Sequence, residues 1–460
     1  MTAADTAIAL NRFGLGARPQ TPAPALADPR GALLDSLARY APDPPAWAAQ
    51  PGQAQVLATV QALQAAQRDP DPEQRREAAT QQRRALRGFY DAAVGASLQS
   101  ALTGPAPFAE RLVHFWANHF ALSVGEAPVT GLAGNFEAEA IRPHVLGRFE
   151  NMLLSVERHP AMLLYLDQAR SAGPDSPVAL RAQARAGGAR RGLNENLARE
   201  ILELHTLGVH GGYTQQDVGE LALALTGWTV AGLRPGQPDS TAGFRFDAAQ
   251  HQPGLRRVLG RGYADDGLAQ GTAILRDLAS APATAQHVAT KLARHFAGDA
   301  PPAPLVERLT RAFLRSGGDL PTVYRALVEA PEPWAAQPLK FKTPWEWLAS
   351  ALRALDRHDL QGLAPVALLD SLGQPAWRPG SPAGWDDTAA TWAAPDALVR
   401  RVELAQRLAA RSAATTDART LAPLVLPGTL SAATRAALAR AESPASALAL
   451  LLVSPDFLRR

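Results

Sequence analysis

The chain has 460 residues, of which 47% are hydrophobic and 19% are charged, so it holds enough apolar material for a large core. It contains no Cys, which excludes disulfides, thiolate nucleophiles and cysteine metal sites. Its 46 basic and 43 acidic residues nearly cancel, and every basic residue except Lys291, Lys340 and Lys342 is Arg. Because Arg pairs readily with carboxylates, this composition argues against a nucleic-acid-binding surface.

The sequence also argues against membrane insertion. The N-terminal residues MTAADTAIALNRFGLG show no basic leader followed by an apolar run, and no segment approaches the roughly 18 apolar residues of a membrane helix. We therefore expect a protein without membrane insertion and, by default, a cytoplasmic location.

Apolar residues recur at spacings of three and four along most of the chain, which is typical of α-helices, whereas alternating patterns are almost absent. The pattern predicts an all-α, multi-helix protein. In the N-terminal region, residues 1–100, it predicts helices over 4–13 and 31–39 and a polar, solvated helix over 72–95.

Residues 101–229 are denser in apolar and aromatic residues, and we take them as the core helical region. An Arg- and Gly-rich loop at 171–192 interrupts this region, with a composition suited to a mobile lid. The helical period fails over 230–262, which predicts an irregular segment or a β-hairpin, and helices return over 263–460. We expect the four regions to form one continuous unit.

Candidate chemistry concentrates in residues 192–228, GLNENLAREILELHTLGVHGGYTQQDVGELALALTGW. On a helix with 3.6 residues per turn, Glu200 and Glu203 share a polar face while His205 lies on the opposite, apolar face. The two carboxylates are consistent with acid–base catalysis or cation binding. Because charged helix faces are usually just solvated, we favour an exposed strip in which Arg199 pairs with Glu203.

The end of this helix and the start of the next are marked by local signals. Gly208 is suited to a helix C-terminus because it accepts the left-handed conformation. Thr214 followed by Asp217 predicts a capping box, so we assign Asp217 to capping rather than to catalysis.

A second helix, ERLVHFWANHF, carries His114 and His119. They lie five positions apart, so the two imidazoles diverge and cannot chelate one metal from this helix, and we expect no metal and no cofactor. His119 lies on the apolar face with Trp116, as His205 does on its own helix. If the two helices pack together, both histidines point into one partly buried region, either as plain core residues or as proton-transfer groups.

Other polar residues are weaker candidates for ligand contacts. Arg142 lies three residues after Glu139, which predicts an ion pair, and Asp167 ends a helix where it could cap a turn or face a pocket. The full set of candidate ligand-binding residues is Asn118, Asn194, Asn196, Arg142, Asp167 and His251.

Several long segments together resemble a bacterial family known as domain of unknown function 1800. They are ALNRFGLGARP, ERLVHFWANHFALS, the 192–228 segment, KTPWEWLASALRAL and LLVSPDFLRR. The resemblance implies a large, helix-rich protein whose relatives often look exported. It also implies a possible partner, a sulfatase-like protein encoded nearby. Gln252 follows His251 where relatives often carry an acidic residue, which weakens any metal site at that turn.

These patterns leave the activity open. The first hypothesis is a helical protein that binds a protein partner or a small ligand through residues 110–228, with exposed aromatic segments at 344–347 and 377–392 favouring a protein partner. The alternative is a hydrolase or lyase that uses Glu200 and Glu203 with His119 or His205. A third is binding of a carboxylate or phosphate through Arg142 and the Arg-rich loop.

Overall fold

The computed structural model describes residues 3–21, 27–184, 192–233, 242–337 and 340–460. Residues 185–191 of the predicted Arg-rich loop fall outside these ranges, including Arg185, Arg190 and Arg191, while Arg181 lies in a short helix. Its role as a lid therefore stays a prediction.

The described chain is mainly α-helical, as predicted. Up to residue 225 the α-helices are α1 (Ala3–Ile8), α2 (Pro29–Leu37), α3 (Pro45–Ala48), α4 (Gln53–Ala66), α5 (Pro72–Thr103), α6 (Pro107–His119), α7 (Ala127–Asn135), α8 (Phe149–Arg158), α9 (Pro160–Tyr165), α10 (Pro177–Gln183), α11 (Asn196–Glu200) and α12 (Gln215–Leu225). Short 3₁₀ turns lie at Arg142–His144, Gln168–Arg170 and Glu332–Trp334.

The helices after the sheet region run to the end of the chain. They are α13 (Leu268–Ser280), α14 (Pro282–Ala297), α15 (Ala303–Ser316), α16 (Leu320–Glu329), α17 (Pro344–Ala354), α18 (Pro365–Ser371), α19 (Ala389–Trp392), α20 (Pro395–Ser412), α21 (Ala418–Val425), α22 (Ala432–Ala439), α23 (Pro444–Leu452) and α24 (Pro455–Leu458).

Many of these helices begin at a proline, for example Pro72, Pro107, Pro282 and Pro344. Proline suits the first helical position because its fixed φ is already helical and its missing N–H has no partner there. The high proline content thus divides the chain into many short helices. The exception is α5, which continues to Thr103, past the predicted end near residue 95, because Ala, Gln, Leu and Arg sustain it until Gly104.

Three segments are π-helical, namely Ala9–Phe13, Phe136–Ile141 and Ile201–His205. Each continues an α-helix without a break. Such wider turns change which side chains share a face, and they occur frequently at functional sites.

The predicted irregular or hairpin region contains two small antiparallel sheets. Strands β1 (Trp228–Ala231) and β2 (Gly243–Phe246) pair with Trp228 opposite Phe246, and β3 (Arg256–Val258) pairs with β4 (Arg261–Tyr263). The prediction of a small irregular or β-hairpin insertion near 230–260 is therefore confirmed, although the first strand begins slightly earlier.

Buried apolar residues from Ile8 to Leu458 form one main hydrophobic cluster. At its centre Trp116 of α6 donates to the hydroxyl of Tyr324 at 2.7 Å, and that hydroxyl donates to the carbonyl of Val145 at 3.0 Å. The regional boundaries given above stay predictions. Within the described ranges, no helix combines the length and the apolar character needed to cross a membrane.

The aromatic residues of 344–347, expected to be exposed in a partner-binding protein, are buried. Trp345 and Trp347 are 7% and 0% exposed, because α17 packs its first turn into the core. Trp347 donates to the carbonyl of Leu452, and the ring of Trp345 stacks on His114 with centroids 3.9 Å apart.

Candidate functional site

A cavity of about 380 Å³ lies where α6, α14, the first turn of α17 and residues 383–387 meet. Four histidines line it: His114, His119, His287 and His295. A volume of this size suits a small metabolite, since ligand pockets usually begin near 300 Å³. We refer to it as the histidine cavity.

Helix α14 supplies one wall of the histidine cavity. His287, Lys291, Arg294 and His295 follow at spacings of four, three and one, so they lie on one side of the helix. Neither Lys291 nor Arg294 forms an ion pair or side-chain hydrogen bond with any described residue. Burial, with a further contribution from Arg294 and despite Asp387, lowers the pKa of Lys291 to about 8.

Glu346 lies at the floor of the cavity and is 1% exposed. It forms ion pairs with Arg111 of α6 and with Arg460, whose Nη2 lies 2.7 Å from Oε1. It also accepts a hydrogen bond from Nε of Arg460 and, in a capping box, one from the backbone N–H of Thr343. Although burial raises the pKa of Glu346, Arg460 and Arg111 together hold it well below its ordinary value. The carboxylate is therefore ionised and fully neutralised by its neighbours.

His295 is oriented by Asp387, whose Oδ2 lies 3.0 Å from Nδ1 of the imidazole. Its Nε2 faces Arg111 and Arg460 at 3.4 Å each, and guanidinium nitrogens only donate, so Nε2 must be the acceptor and Nδ1 must carry the proton. Burial and Arg460 lower the pKa of His295 to about 4 despite Asp387. This histidine is thus a neutral, fixed part of the wall.

Asp387 is itself neutralised from the other side by Lys340, with Nζ 3.2 Å from Oδ1. Lys340 also pairs with Asp299 at 3.0 Å. Burial raises the pKa of Asp387, but His295 and Lys340 outweigh it and hold that pKa well below its usual range.

The segment 383–387 is fixed to α6 by Asn118. The Asn118 amide donates to the carbonyl of Trp385 at 2.9 Å, and its oxygen accepts the Trp385 N–H at 2.7 Å. Gly384 has φ +84°, and a Cβ there would collide with the carbonyl of Asn118. Asn118, predicted to bind ligand, therefore borders the cavity but uses its amide to position the opposite wall.

The structure brings the two predicted histidines together. Nε2 of His119 lies 3.2 Å from the carbonyl of His205, and the ring centroids are 6.4 Å apart. His119 lines the histidine cavity, and burial, reinforced by Lys291, lowers its pKa well below the ordinary value. Its Nδ1 is buried without a partner.

His205 lies behind His119 and is completely buried. Its Nδ1 is 2.8 Å from Oε1 of Glu157, which is also 0% exposed. The remaining polar atoms of this pair, Nε2 of His205 and Oε2 of Glu157, have no hydrogen-bond partner. Two buried polar atoms without hydrogen-bond partners therefore lie directly behind the cavity wall.

The glutamates Glu200 and Glu203 are not among the residues that line the histidine cavity. Burial raises the pKa of the half-buried Glu200, and the phenol of Tyr213 hydrogen-bonds to Glu203. The expected ion pair between Arg199 and Glu203 is wrong: Arg199 pairs instead with Glu195 at 3.1 Å and donates to Gln215. The π-helical turn at 201–205 rotates Glu203 away from the face that Arg199 occupies.

Arg142 is buried and forms a bidentate ion pair with Glu110, with nitrogen–oxygen distances of 2.9 and 2.7 Å. The expected Glu139–Arg142 pair is wrong, since Glu139 contacts Asn135 and His159 instead. The π-helical segment Phe136–Ile141 again shifts the register. Arg142 is thus a structural cation.

The remaining candidates lie elsewhere. Asp167 and Asn194 line a second, open cavity of about 640 Å³, where Asp167 is in the left-handed conformation at φ 57°. Asn194 accepts the N–H of Asn196 at 2.8 Å, and His251 is buried with Nδ1 2.8 Å from the carbonyl of Thr226. These residues shape turns, and the structure does not bring them to the histidine cavity. The predicted capping box of Thr214 and Asp217 is confirmed.

Sequence reasoning did not single out most of the cavity: His287, Lys291, Arg294, His295, Glu346, Trp385 and Asp387. The α14 residues had a usable signal, because the spacing HVATKLARH puts His, Lys and His on one helix side. Asp387 and Glu346 are brought in only by contacts distant in sequence.

A family model described as a protein of unknown function (DUF1800) matches residues 8–459, nearly the whole chain. The chain belongs to this DUF1800 family. No curated protein and no solved structure matches it. Within the described ranges of this DUF1800 protein, no three His, Asp or Glu side chains are arranged to hold a metal ion.

Proposed function

We propose that this protein binds a small anionic molecule, with a carboxylate or phosphate group, in the histidine cavity. The observation that carries the proposal is the state of the charged groups there. Glu346 and Asp387 are each paired with basic side chains, whereas Lys291 and Arg294 form no ion pair with any described residue, and Asp387 acts on Lys291 only at longer range. An anion entering the cavity would meet two cations that are not engaged in an ion pair, and charge-assisted hydrogen bonds are the strong ones.

The rest of the lining supports the same class of ligand. Burial and Lys291 lower the pKa of His287 to about 4, so this histidine, like His119 and His295, is neutral near pH 7. Neutral imidazoles can donate a hydrogen bond to a bound anion, while the positive charge that attracts the anion comes from Lys291 and Arg294. Phe115 and Trp385 add apolar wall, as is usual in small-molecule sites.

The test is calorimetric titration of the full chain with inorganic phosphate, pyruvate and succinate, and with pyruvamide as a neutral analogue. We expect at least one anion to bind and pyruvamide not to. Lys291→Met should weaken that binding about tenfold or more, since a hydrogen bond to a charged group contributes roughly 1.5–3 kcal/mol. Arg435→Met is the matched control, because Arg435 is exposed on α22 and does not line the cavity.

The proposal fails if none of the three anions binds, or if Lys291→Met and wild type bind equally. Circular dichroism of both variants checks that the fold is retained. Lys291→Met should leave the fold intact because the amine has no partner to lose.

The hydrolase or lyase hypothesis with Glu200, Glu203, His119 and His205 stays a prediction. So do the cytoplasmic location and the sulfatase-like partner. Only His119 of those four residues lines the histidine cavity, which is why binding is preferred.

A further inference from the structure

The three lysines of the chain have very different surroundings. Lys340 is 1% exposed and its amine is held by Asp299 and Asp387. Lys342 is 0% exposed and lies over the ring of Phe457. Only Lys291 presents a partly exposed amine to a cavity without a hydrogen-bond partner.

Two neutral imidazoles lie beside this amine. His287 precedes Lys291 by one turn on α14, and His119 faces it from α6. Both imidazoles are neutral near pH 7, and Nδ1 of His119 has no partner. Arg294, three residues after Lys291, places a guanidinium beside the amine on the same side of the helix.

We propose that the ligand of the histidine cavity is a 2-oxo acid, held as an imine of Lys291 with its carboxylate against Arg294. This inference rests on the proposed function and narrows it from an anion to an anion that carries a carbonyl group. A partly buried amine beside other cations is the usual form of a lysine nucleophile.

The chemistry requires no further reactant. The neutral Lys291 nitrogen attacks the carbonyl carbon, a C–N bond forms as the C=O π bond breaks, and one proton passes from the nitrogen to the oxygen. In the resulting carbinolamine the C–O bond breaks, the nitrogen gives up its second proton, and the oxygen leaves as water with both protons, so that a C=N bond remains. Solvent water or a neighbouring imidazole relays these protons. Hydrolysis reverses the sequence, so the step is redox-neutral.

The pKa of Lys291, near 8, means that a useful fraction of the amine is neutral at pH 7 to 8. The charged and titratable groups that face it are His119 from α6, His287 and Arg294 from α14, and Asp387 from the 383–387 segment. Asp387 favours the charged amine, whereas burial and Arg294 favour the neutral one.

The test is reductive trapping. The full chain is incubated at pH 7.5 with pyruvate or glyoxylate and sodium cyanoborohydride, and peptide mapping by mass spectrometry locates the adduct. Because the chain has only three lysines and two of them are buried, labelling at Lys291 is read against little background. We expect saturable, near-stoichiometric labelling at Lys291 that excess phosphate or succinate suppresses.

Lys291→Arg is the deciding variant, because Arg keeps the positive charge but does not form an imine. We expect it to give no adduct at position 291 while it binds phosphate or succinate more tightly than Lys291→Met does. Pyruvamide, which keeps the ketone but lacks the carboxylate, should label wild type at least tenfold more slowly than pyruvate.

The outcomes separate the two proposals. If anions bind but no adduct forms at Lys291, or pyruvamide labels it as fast as pyruvate, the imine is refuted and the proposed function stands. If no anion binds and no adduct forms, both fail. Labelling at Lys291 that persists unchanged in urea-unfolded protein also refutes the imine, because it would reflect ordinary amine reactivity.

Discussion

Replacing Lys342 by Met should stabilise the protein. The Lys342 amine is buried without a hydrogen-bond partner, and it lies 4.2 Å from the ring centroid of Phe457. Burial lowers the pKa of Lys342 from 10.5 to about 7; Glu346 opposes this, and Arg111, Arg460 and Arg401 add to it. At about 1.4 kcal/mol per tenfold change in proton affinity, the charged amine costs the fold roughly 5 kcal/mol.

The sign of the pH dependence follows from the lowered pKa. Below about pH 7 the amine is charged in both states, so the full penalty applies. Between pH 7 and 10.5 the folded amine is neutral while the unfolded one is charged, so the penalty shrinks as the pH rises. Met has a similar volume and can form a favourable sulfur–aromatic contact with Phe457. It loses the cation–π interaction between the Lys342 amine and that ring, which contributes about 1–2 kcal/mol. We therefore expect a net gain of about 3 kcal/mol near pH 7, falling towards zero by about pH 10.

The assay is urea denaturation of wild type and Lys342→Met at pH 6.5, 8 and 9.5, followed by circular dichroism. Lys340→Met is the matched control two residues away, because its amine is held by Asp299 and Asp387. It should lose about 2 kcal/mol, since removal of one partner leaves a poorly compensated carboxylate. If Lys342→Met is no more stable than wild type at any of the three pH values, Lys342 has an anionic partner in solution and the reasoning is wrong.

Three further predictions concern the histidine cavity. Phosphate affinity, measured by calorimetry, should fall as the pH rises above about 8, because Lys291 loses its charge there; an affinity that is flat from pH 7 to 9.5 would remove Lys291 from the site. Gly384→Ala should lower the stability by about 2 kcal/mol in a thermal unfolding assay, because a side chain is strained at φ +84° and its Cβ would collide with Asn118 of α6. Gly380→Ala is the control and should leave the stability nearly unchanged, because the space around Gly380 is open. Glu346→Gln should lower the free energy of unfolding, measured by urea denaturation, by about 3–5 kcal/mol, because it leaves two buried guanidinium groups unpaired. Substitution of the exposed Glu442 by Gln should change the stability little. Equal stabilities of the two variants would show that the Glu346 charge is dispensable.

The elements predicted best from the sequence are those that local interactions determine. Thr214 and Asp217 form their capping box because both partners lie within one turn, and the helix over 4–13 needs only its own period. The hairpin region was recognisable because the helical spacing failed there. In each case the deciding signal lies within one continuous segment of the chain.

The ion pairs predicted from helix spacing were wrong for a common reason. Both Arg199–Glu203 and Arg142–Glu139 assumed a regular α-helix, yet π-helical turns lie in or beside each pair. In addition, Arg142 finds a better partner in Glu110, 32 residues away, where a bidentate geometry is available. Helix spacing alone cannot predict an ion pair between residues on different helices.

Only one wall of the candidate site could be predicted from the sequence, for a similar reason. His119 and His205 were paired correctly because each lies on the apolar face of its helix, and those faces must meet in the core. The opposite wall comes from α14 and the 383–387 segment, which reach α6 through contacts such as Asn118 to Trp385, 267 residues apart. A sequence without such pairing information cannot place these residues.

The distribution of lysine within this Arg-rich chain supports a specialised role for position 291. All three lysines lie around the same pair of acidic groups: Lys340 binds Asp387, Lys342 is near Glu346, and Lys291 faces the cavity that both carboxylates line. Arg remains protonated in a protein, whereas a buried lysine amine can lose its proton and become a nucleophile. A requirement for positive charge alone would be met by Arg at position 291, as it is met by Arg294 one turn away. The contrast between Lys291→Arg, which keeps the charge, and Lys291→Met, which removes it, therefore decides whether the cavity needs a cation or an amine.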